Sequence, residues 1–161
     1  MPIIKNLDPN ELSKSPIDAY NIAICSPSAF TGETGARGDK DTAAGVFKLF
    51  NVTGTVLVKV FGICTVDLVG AATLEVGVAG NTAALIAQIA DATGLDVGDI
   101  WADATPTLGA TLFADVLGPY IVANGLDIEE KCGTADITAG NIFYICLWRP
   151  LSPDGKVEPA V

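Results

Sequence analysis

The feature that most constrains this chain is a period-two alternation running from Val56 to Leu68. One set of positions, Val56, Val58, Val60, Gly62, Cys64, Val66 and Leu68, is wholly apolar. The interleaved set, Leu57, Lys59, Phe61, Ile63, Thr65 and Asp67, is mixed. A helix would scatter either set around its circumference, whereas a strand collects every second residue on one face. At ~3.3 Å per residue the run is about 40 Å long. A strand of that length with one apolar face needs a second layer to cover it. Gly62, in its middle, is expected to mark a bulge or bend.

The rest of the chain repeats the pattern in shorter pieces. After a turn at Val69–Gly70–Ala71, the residues Ala72, Leu74, Val76 and Val78 alternate with Thr73, Glu75 and Gly77. Thr82–Ala90 is rich in helix-favouring Ala and Leu, but its flanking glycines and neighbouring strands favour a strand returning as a hairpin. Residues 91–110 read as loop, with Asp96–Trp101 expected to hold one helical turn. Further strands are expected at Thr111–Val116, Tyr120–Ala123 and Leu126–Cys132. The last places Leu126, Ile128, Glu130 and Cys132 on one face. Asn124–Gly125 is the usual two-residue hairpin signal. Asn141–Arg149 (NIFYICLWR) is apolar on both faces, as a central strand would be, and Leu151–Gly155 closes it with a turn.

Strands punctuated by turns, without alternating helices, predict an all-β fold: an antiparallel β-sandwich or barrel, jelly-roll-like, with an extended N-terminal arm. Residues 1–45 carry Pro2, Pro9, Pro16 and Pro27 and a glycine-containing loop from Thr31 to Lys40. Only Tyr20–Cys25 among them reads as a strand. The expected division is therefore an arm or loosely attached segment at 1–45, a β-sandwich domain at 46–155 and a flexible tail at 156–161. A length of 161 residues suits one domain.

Charge narrows the function classes. Nineteen acids against nine bases give −10, which disfavours a protein that grips phosphate backbones. Ten of those acids and no base fall within residues 60–130, while the remainder of the chain is neutral. The uneven distribution predicts a polarised molecule, or simply a self-repelling surface that aids solubility. The absence of His removes the commonest general base and nitrogen metal ligand. No run approaches the ~18–20 apolar residues of a membrane span. The first residues lack the basic and apolar regions of a secretory signal.

No catalytic, cofactor-binding or metal site is expected, and each candidate has a plainer explanation. Cys25, Cys64, Cys132 and Cys146 lie far apart in apolar runs and form no C-x-x-C pair, so buried reduced thiols are expected. Three full disulfide pairings remain open, though nothing suggests secretion. Arg37-Gly38-Asp39 spells an integrin-type tripeptide without its extracellular context. Gly32…Gly38-Asp39-Lys40 superficially matches a phosphate loop, but Asp39 interrupts the Gly-Lys-Ser/Thr ending. Asp91, Asp96, Asp99 and Asp103 are candidate oxygen ligands for Ca²⁺, but their spacing does not match the D-x-D-x-D-G loop; as a carboxylate pair for sugar hydrolysis they lack the aromatics expected of a sugar groove. Turn and capping duties suit them better. Trp101 and Trp148 are expected as core or subunit-interface anchors.

Three stretches carry a resemblance. GTVLVKVFGICTVDLVGAATLEVGVAGNTAALIAQI (54–89), GDIWADATP (98–106) and TADITAGNIFYICLWRPLSPDG (134–155) resemble small structural proteins from the virion gene clusters of tailed double-stranded DNA phages. Members with assigned roles include head decoration or cement proteins. The resemblance implies a non-enzymatic β-sandwich without cofactors, made in the host cytoplasm and placed on the outside of the phage head. Its partners would be the major capsid protein and itself, as a homo-oligomer with a trimer favoured, and neither nucleic acid nor membrane. It would tie neighbouring capsomers together, with the N-terminal arm lying along the shell. The alternatives are a tail, fibre or baseplate component, or a β-sandwich module that binds glycans or Ca²⁺ near Asp91–Asp103.

Overall fold

The computed structural model describes residues 20–41, 46–106 and 118–161. Ten strands occur among them: β1 (Asn21–Cys25), β2 (Val46–Thr53), β3 (Val56–Val69), β4 (Thr73–Val78), β5 (Asn81–Ile89), β6 (Ile100–Trp101), β7 (Tyr120–Val122), β8 (Ile128–Gly133), β9 (Ala139–Pro150) and β10 (Lys156–Pro159). They form two five-stranded sheets. The first runs β1-β9-β3, with β6 and β7 sharing the far edge of β3, and the second runs β10-β2-β8-β4-β5. Every described pairing is antiparallel. The chain crosses repeatedly from one sheet to the other, and the resulting strand order is that of a jelly roll. Here β6 and β7 together supply one strand position, and β10 is an extra strand beside β2.

Parity fills the space between the sheets. On β3 the buried side chains are Val56, Val58, Val60, Cys64 and Leu68, and on β9 they are Ile142, Tyr144 and Cys146. They form one cluster with Phe50, Val52, Leu74, Val76, Ile128 and Cys132 of the second sheet. Asn141–Arg149 is a central strand, paired on both sides by β1 and β3. Residues 82–89 lie in a strand, because β4 offers a hairpin partner across the Ala79–Gly80 turn, where Val78 pairs with Asn81. Trp101 is a fully buried core residue and Trp148 packs against the core from a half-buried position.

Several expectations are corrected. Gly62 is not a bulge. A Cβ there would meet Ile142 and Tyr144 side chains at 2.8 and 3.0 Å, so glycine serves close packing of β3 on β9. The irregularities lie between Cys64 and Val69, and they turn Val66 out to solvent. Asn124 and Gly125 both have positive φ, as the hairpin turn demands. Their flanking strands nevertheless diverge, β7 to the first sheet and β8 to the second, so the turn is a corner of the sandwich. The helical turn is a single 3₁₀ turn at Ala92–Gly94 rather than Asp96–Trp101. Thr111–Val116 lies outside the described residues.

The boundary at residue 46 also moves. Residues 1–19 are outside the described residues, but 20–41 belong to the sandwich. β1 is hydrogen-bonded along β9. The loop that follows is locked against residues 136–140 by Phe30 N–H to Gly140 O (3.0 Å) and Ile137 N–H to Gly38 O (2.9 Å). Gly38 has φ of +94° and sits where a Cβ would fall 2.3 Å from Ile137 O. The expected tail at 156–161 instead contributes β10, with Val157 buried and Ala160 N–H bonded to Leu49 O. Backbone pairing to the open edge of β2 holds it there.

Candidate functional site: an apolar outer face and a buried charge cluster

The residues of the first sheet that point away from the core are themselves apolar. Cross-strand register arranges them in rows. Ile22 of β1 stands opposite Leu147 of β9, which stands opposite Lys59 of β3. The next row is Ile24, Ile145 and Phe61. The third is Phe143, Ile63 and Ile100. Leu57 pairs with Ile121 of β7 on one side and Arg149 on the other. Ile22, Ile24 and Ile121 are 60%, 53% and 67% exposed, and the apolar β3 and β9 residues of the face are half-buried. The charged residues in these rows are Lys59 and Arg149, each 5.7 Å from the Tyr20 ring. At the other end of β3 the exposed side chains include Val66, Asp67 and Val69, with Asp96 and Val97 alongside. Asp67 Oδ1 accepts the Val97 N–H at 2.6 Å, which brings those two segments together.

The second sheet presents a polar outer surface. Lys48 pairs with Asp127 (2.5 Å), Lys156 with Glu158 (2.6 Å), and Lys131 stands 4.0 Å from Glu75. Glu75 also accepts hydrogen bonds from Thr82 and Gln88 of β5. That is the usual form of an antiparallel sheet with one face in water. A contiguous apolar stretch on a protein surface instead marks an interaction site.

Inside the sandwich lies the opposite anomaly, a charged cluster. Arg37 is 2% exposed. Its guanidinium has five N–H groups, and five acceptor contacts receive them. Nε and Nη2 bond Glu130 Oε1 and Oε2 at 2.9 and 2.7 Å. Nη1 reaches Ser28 O and Asn141 Oδ1, and Nη2 also reaches Ile142 O. The group stacks 3.8 Å over the Phe30 ring. Glu130 Oε2 accepts the Tyr144 hydroxyl as well. Glu130 belongs to β8 of the second sheet and Tyr144 to β9 of the first, so the cluster ties the sheets together through the core. Burial alone would lower the Arg37 pKa, but the Glu130 carboxylate outweighs it and the guanidinium is held more firmly charged. Burial, then the Glu130 charge, push the Tyr144 phenol well above its ordinary value.

This arrangement disposes of the tripeptide motif, since Arg37 and Asp39 are buried within the fold. The glycine loop is likewise no phosphate cradle. Gly35 N–H bonds Asp39 and Lys40 N–H bonds Asp136, while the Lys40 ammonium pairs with Asp41. Three of the four loop acids have local duties. Asp91 caps the 3₁₀ turn by accepting the Thr93 N–H and hydroxyl, Asp99 accepts the Asp96 N–H, and Asp103 accepts the Thr105 N–H. Those two bonds from Thr93 hold the Asp91 carboxyl below its usual range. Among the described residues no three His, Cys, Asp or Glu side chains gather as a metal-holding group. No described helix is long and apolar enough to cross a membrane. A cleft of about 590 Å³ opens at the other end of the sandwich, lined by the loops at Gly54, Asn124–Gly125 and Ser152–Asp154. The four cysteines are buried and unpaired. Burial pushes Cys25, Cys64 and Cys132 up to about 11 and Cys146 to about 12, which keeps the nucleophilic thiolate out of reach at neutral pH.

Neither the family models, the curated proteins nor the solved structures compared with this chain contain a match.

Proposed function

We propose that this protein is a non-enzymatic structural component of a tailed-phage virion, a decoration protein that attaches to the outside of the head. In this role it stabilises contacts between capsomers by binding the assembled shell in preference to its free parts. Its partners are the major capsid protein and further copies of itself. The observation that carries this reading is the contrast between an apolar outer face on one sheet and a charge-paired, solvated face on the other. That asymmetry suits a building block with one side docked and one side in water. The resemblance of residues 54–89, 98–106 and 134–155 to phage structural proteins supplies the virion context. The fold does not choose the role by itself, because jelly rolls serve unrelated functions.

The test is localisation on purified virions. Antibody against this chain should label the outside of intact heads, and recombinant protein should co-sediment with heads stripped of it. Label confined to tails or baseplates, or absent from virions altogether, would overturn the assignment.

A further inference from the structure

We infer that the outer face of the first sheet pairs with the same face of a second copy, about a twofold axis running across the strands near the level of Phe61 and Ile63. The inference rests on the same face that carries the virion reading and names its occupant as a second copy, a dimer in place of the expected trimer. Capsid contact then falls to the dimer's remaining surface, so mass in solution tests the pairing and labelling of heads tests the virion role.

The face carries its own complement. Along β3, Lys59 lies toward one end and the exposed Asp67 toward the other, past the first of the two register shifts between Cys64 and Val69, so the span falls short of the ~26 Å that eight residues of regular strand would cover. Arg149 strengthens the basic end, since it lies beside Leu57 in the register, two residues before Lys59. Asp96 strengthens the acidic end, next to the Val97 amide that Asp67 holds. The segment that carries Asp96 is held along this end of β3 by backbone bonds from Cys64 N–H to Asp99 O (3.0 Å), Gly98 N–H to Cys64 O (2.9 Å) and Leu68 N–H to Leu95 O (3.3 Å). The stretch between the two ends is apolar.

Geometry then restricts how two such faces meet. A twofold axis parallel to the strands would lay Lys59 over its own copy, leaving like charges opposed. An axis across the strands turns the partner end for end. It lays the Lys59–Arg149 end of each copy over the Asp67–Asp96 end of the other, twice in one dimer, with the apolar rows between. Face-to-face sheets pack about 10 Å apart, within reach of lysine and arginine side chains from the rim. An isologous contact of this kind closes on itself and leaves no further copy of the face to recruit.

The experiment is a charge swap on the full chain, read as mass by sedimentation equilibrium from 1 to 200 µM. Wild type should be a dimer. Ile24→Asp, at an exposed position on the edge strand β1, should be monomeric, and its melting curve should match that of wild type diluted below the dimer's Kd, since association itself adds to wild-type stability at higher concentration. Lys59→Glu and Asp96→Lys should each dimerise at least tenfold more weakly, because each homodimer opposes like charges twice. Mixed in equal amounts they should form heterodimers of near wild-type affinity, because both crossed contacts are then attractive. A folded wild-type monomer at 200 µM would overturn the pairing and assign the face to residues 1–19 or 107–117 of the same chain, or to another protein. A trimer, a dimer indifferent to Ile24→Asp, or a mixture no tighter than the single variants would overturn it as well.

Discussion

The core of this protein holds a full ion pair, and its surface holds a sheet of isoleucine, leucine and phenylalanine. Each reverses the ordinary placement of residues, and the two reversals differ in kind. The Arg37–Glu130–Tyr144 cluster is complete. Five guanidinium N–H groups have acceptors, both carboxylate oxygens are used, and an aromatic ring covers one side. The outer face around Phe61 and Ile145 is incomplete, for nothing described in the chain shields Ile22, Ile24 or Ile121 from water. A buried charge is tolerable when every hydrogen bond is made. Exposed apolar area has no such internal remedy, and only another surface removes it from water. The first anomaly therefore belongs to folding, and the pairing proposed above assigns the second to association.

That separation breaks most readily at the cluster. Arg37→Met leaves Glu130 buried without its counter-charge, and loss of one partner of a buried pair costs about 3–5 kcal/mol. Urea titration of the variant should show that loss, and Arg37→Met combined with Glu130→Leu should recover a large part of it. If Arg37→Met were as stable as wild type, the pair would not be buried as described.

The thiols sharpen the same contrast by pH. A folded-state pKa raised above the ordinary 9.0 means that the unfolded chain loses its proton first. Stability is therefore whole below pH 9 and falls as pH rises from 9 to about 11. A shift from 9.0 to about 11 corresponds to roughly 2–3 kcal/mol per thiol at the upper end. Thermal melts of wild type and Cys25→Ala from pH 8 to 11 should converge as the thiol's contribution is lost. Parallel curves would contradict it.

On the outer faces the effects on folding should be smaller. Ile24→Thr on β1, compared with wild type below the dimer's Kd, should change unfolding stability by no more than about 0.5 kcal/mol, as surface substitutions do, while weakening self-association at higher concentration. Smallest of all, Lys131→Ala on the second sheet removes a long 4.0 Å contact to Glu75, whose carboxylate keeps its bonds from Thr82 and Gln88, so the loss should stay within ~0–1 kcal/mol. It should leave association untouched at any salt. Loss of association with Lys131→Ala would show that the faces have been assigned the wrong way round.

Strand parity made much of this fold legible, because alternation in Val56–Leu68 and in Asn141–Arg149 reports directly which side chains share a face. Thr82–Ala90 was legible only from its neighbours, since alanine favours helix until a hairpin partner is offered. Partnership across the sandwich was hidden. Asn124–Gly125 dictates a tight turn but not whether the two strands stay in one sheet. Likewise the pairing of residues 156–159 with β2 depends on an edge that local sequence does not reveal. The cluster left one signal. Glu130 shares its face with Ile128 and Cys132, and a carboxylate on a core face requires a cation. Which cation was not legible, because Arg37 lies 93 residues away within a loop that reads as solvent-exposed. The apolar outer face was legible in outline from Asn141–Arg149, but a strand apolar on both sides is equally explained by burial between layers.

The most direct test of the claim that the first sheet's outer face is the docking side is hydroxyl-radical footprinting of the full chain across its association range. Phe61, Phe143, Ile145 and Leu147 should become protected together as the protein associates, while Lys48, Glu129 and Lys131 on the second sheet keep their reactivity. Protection of the second sheet's residues, or association without protection of those four, would contradict it.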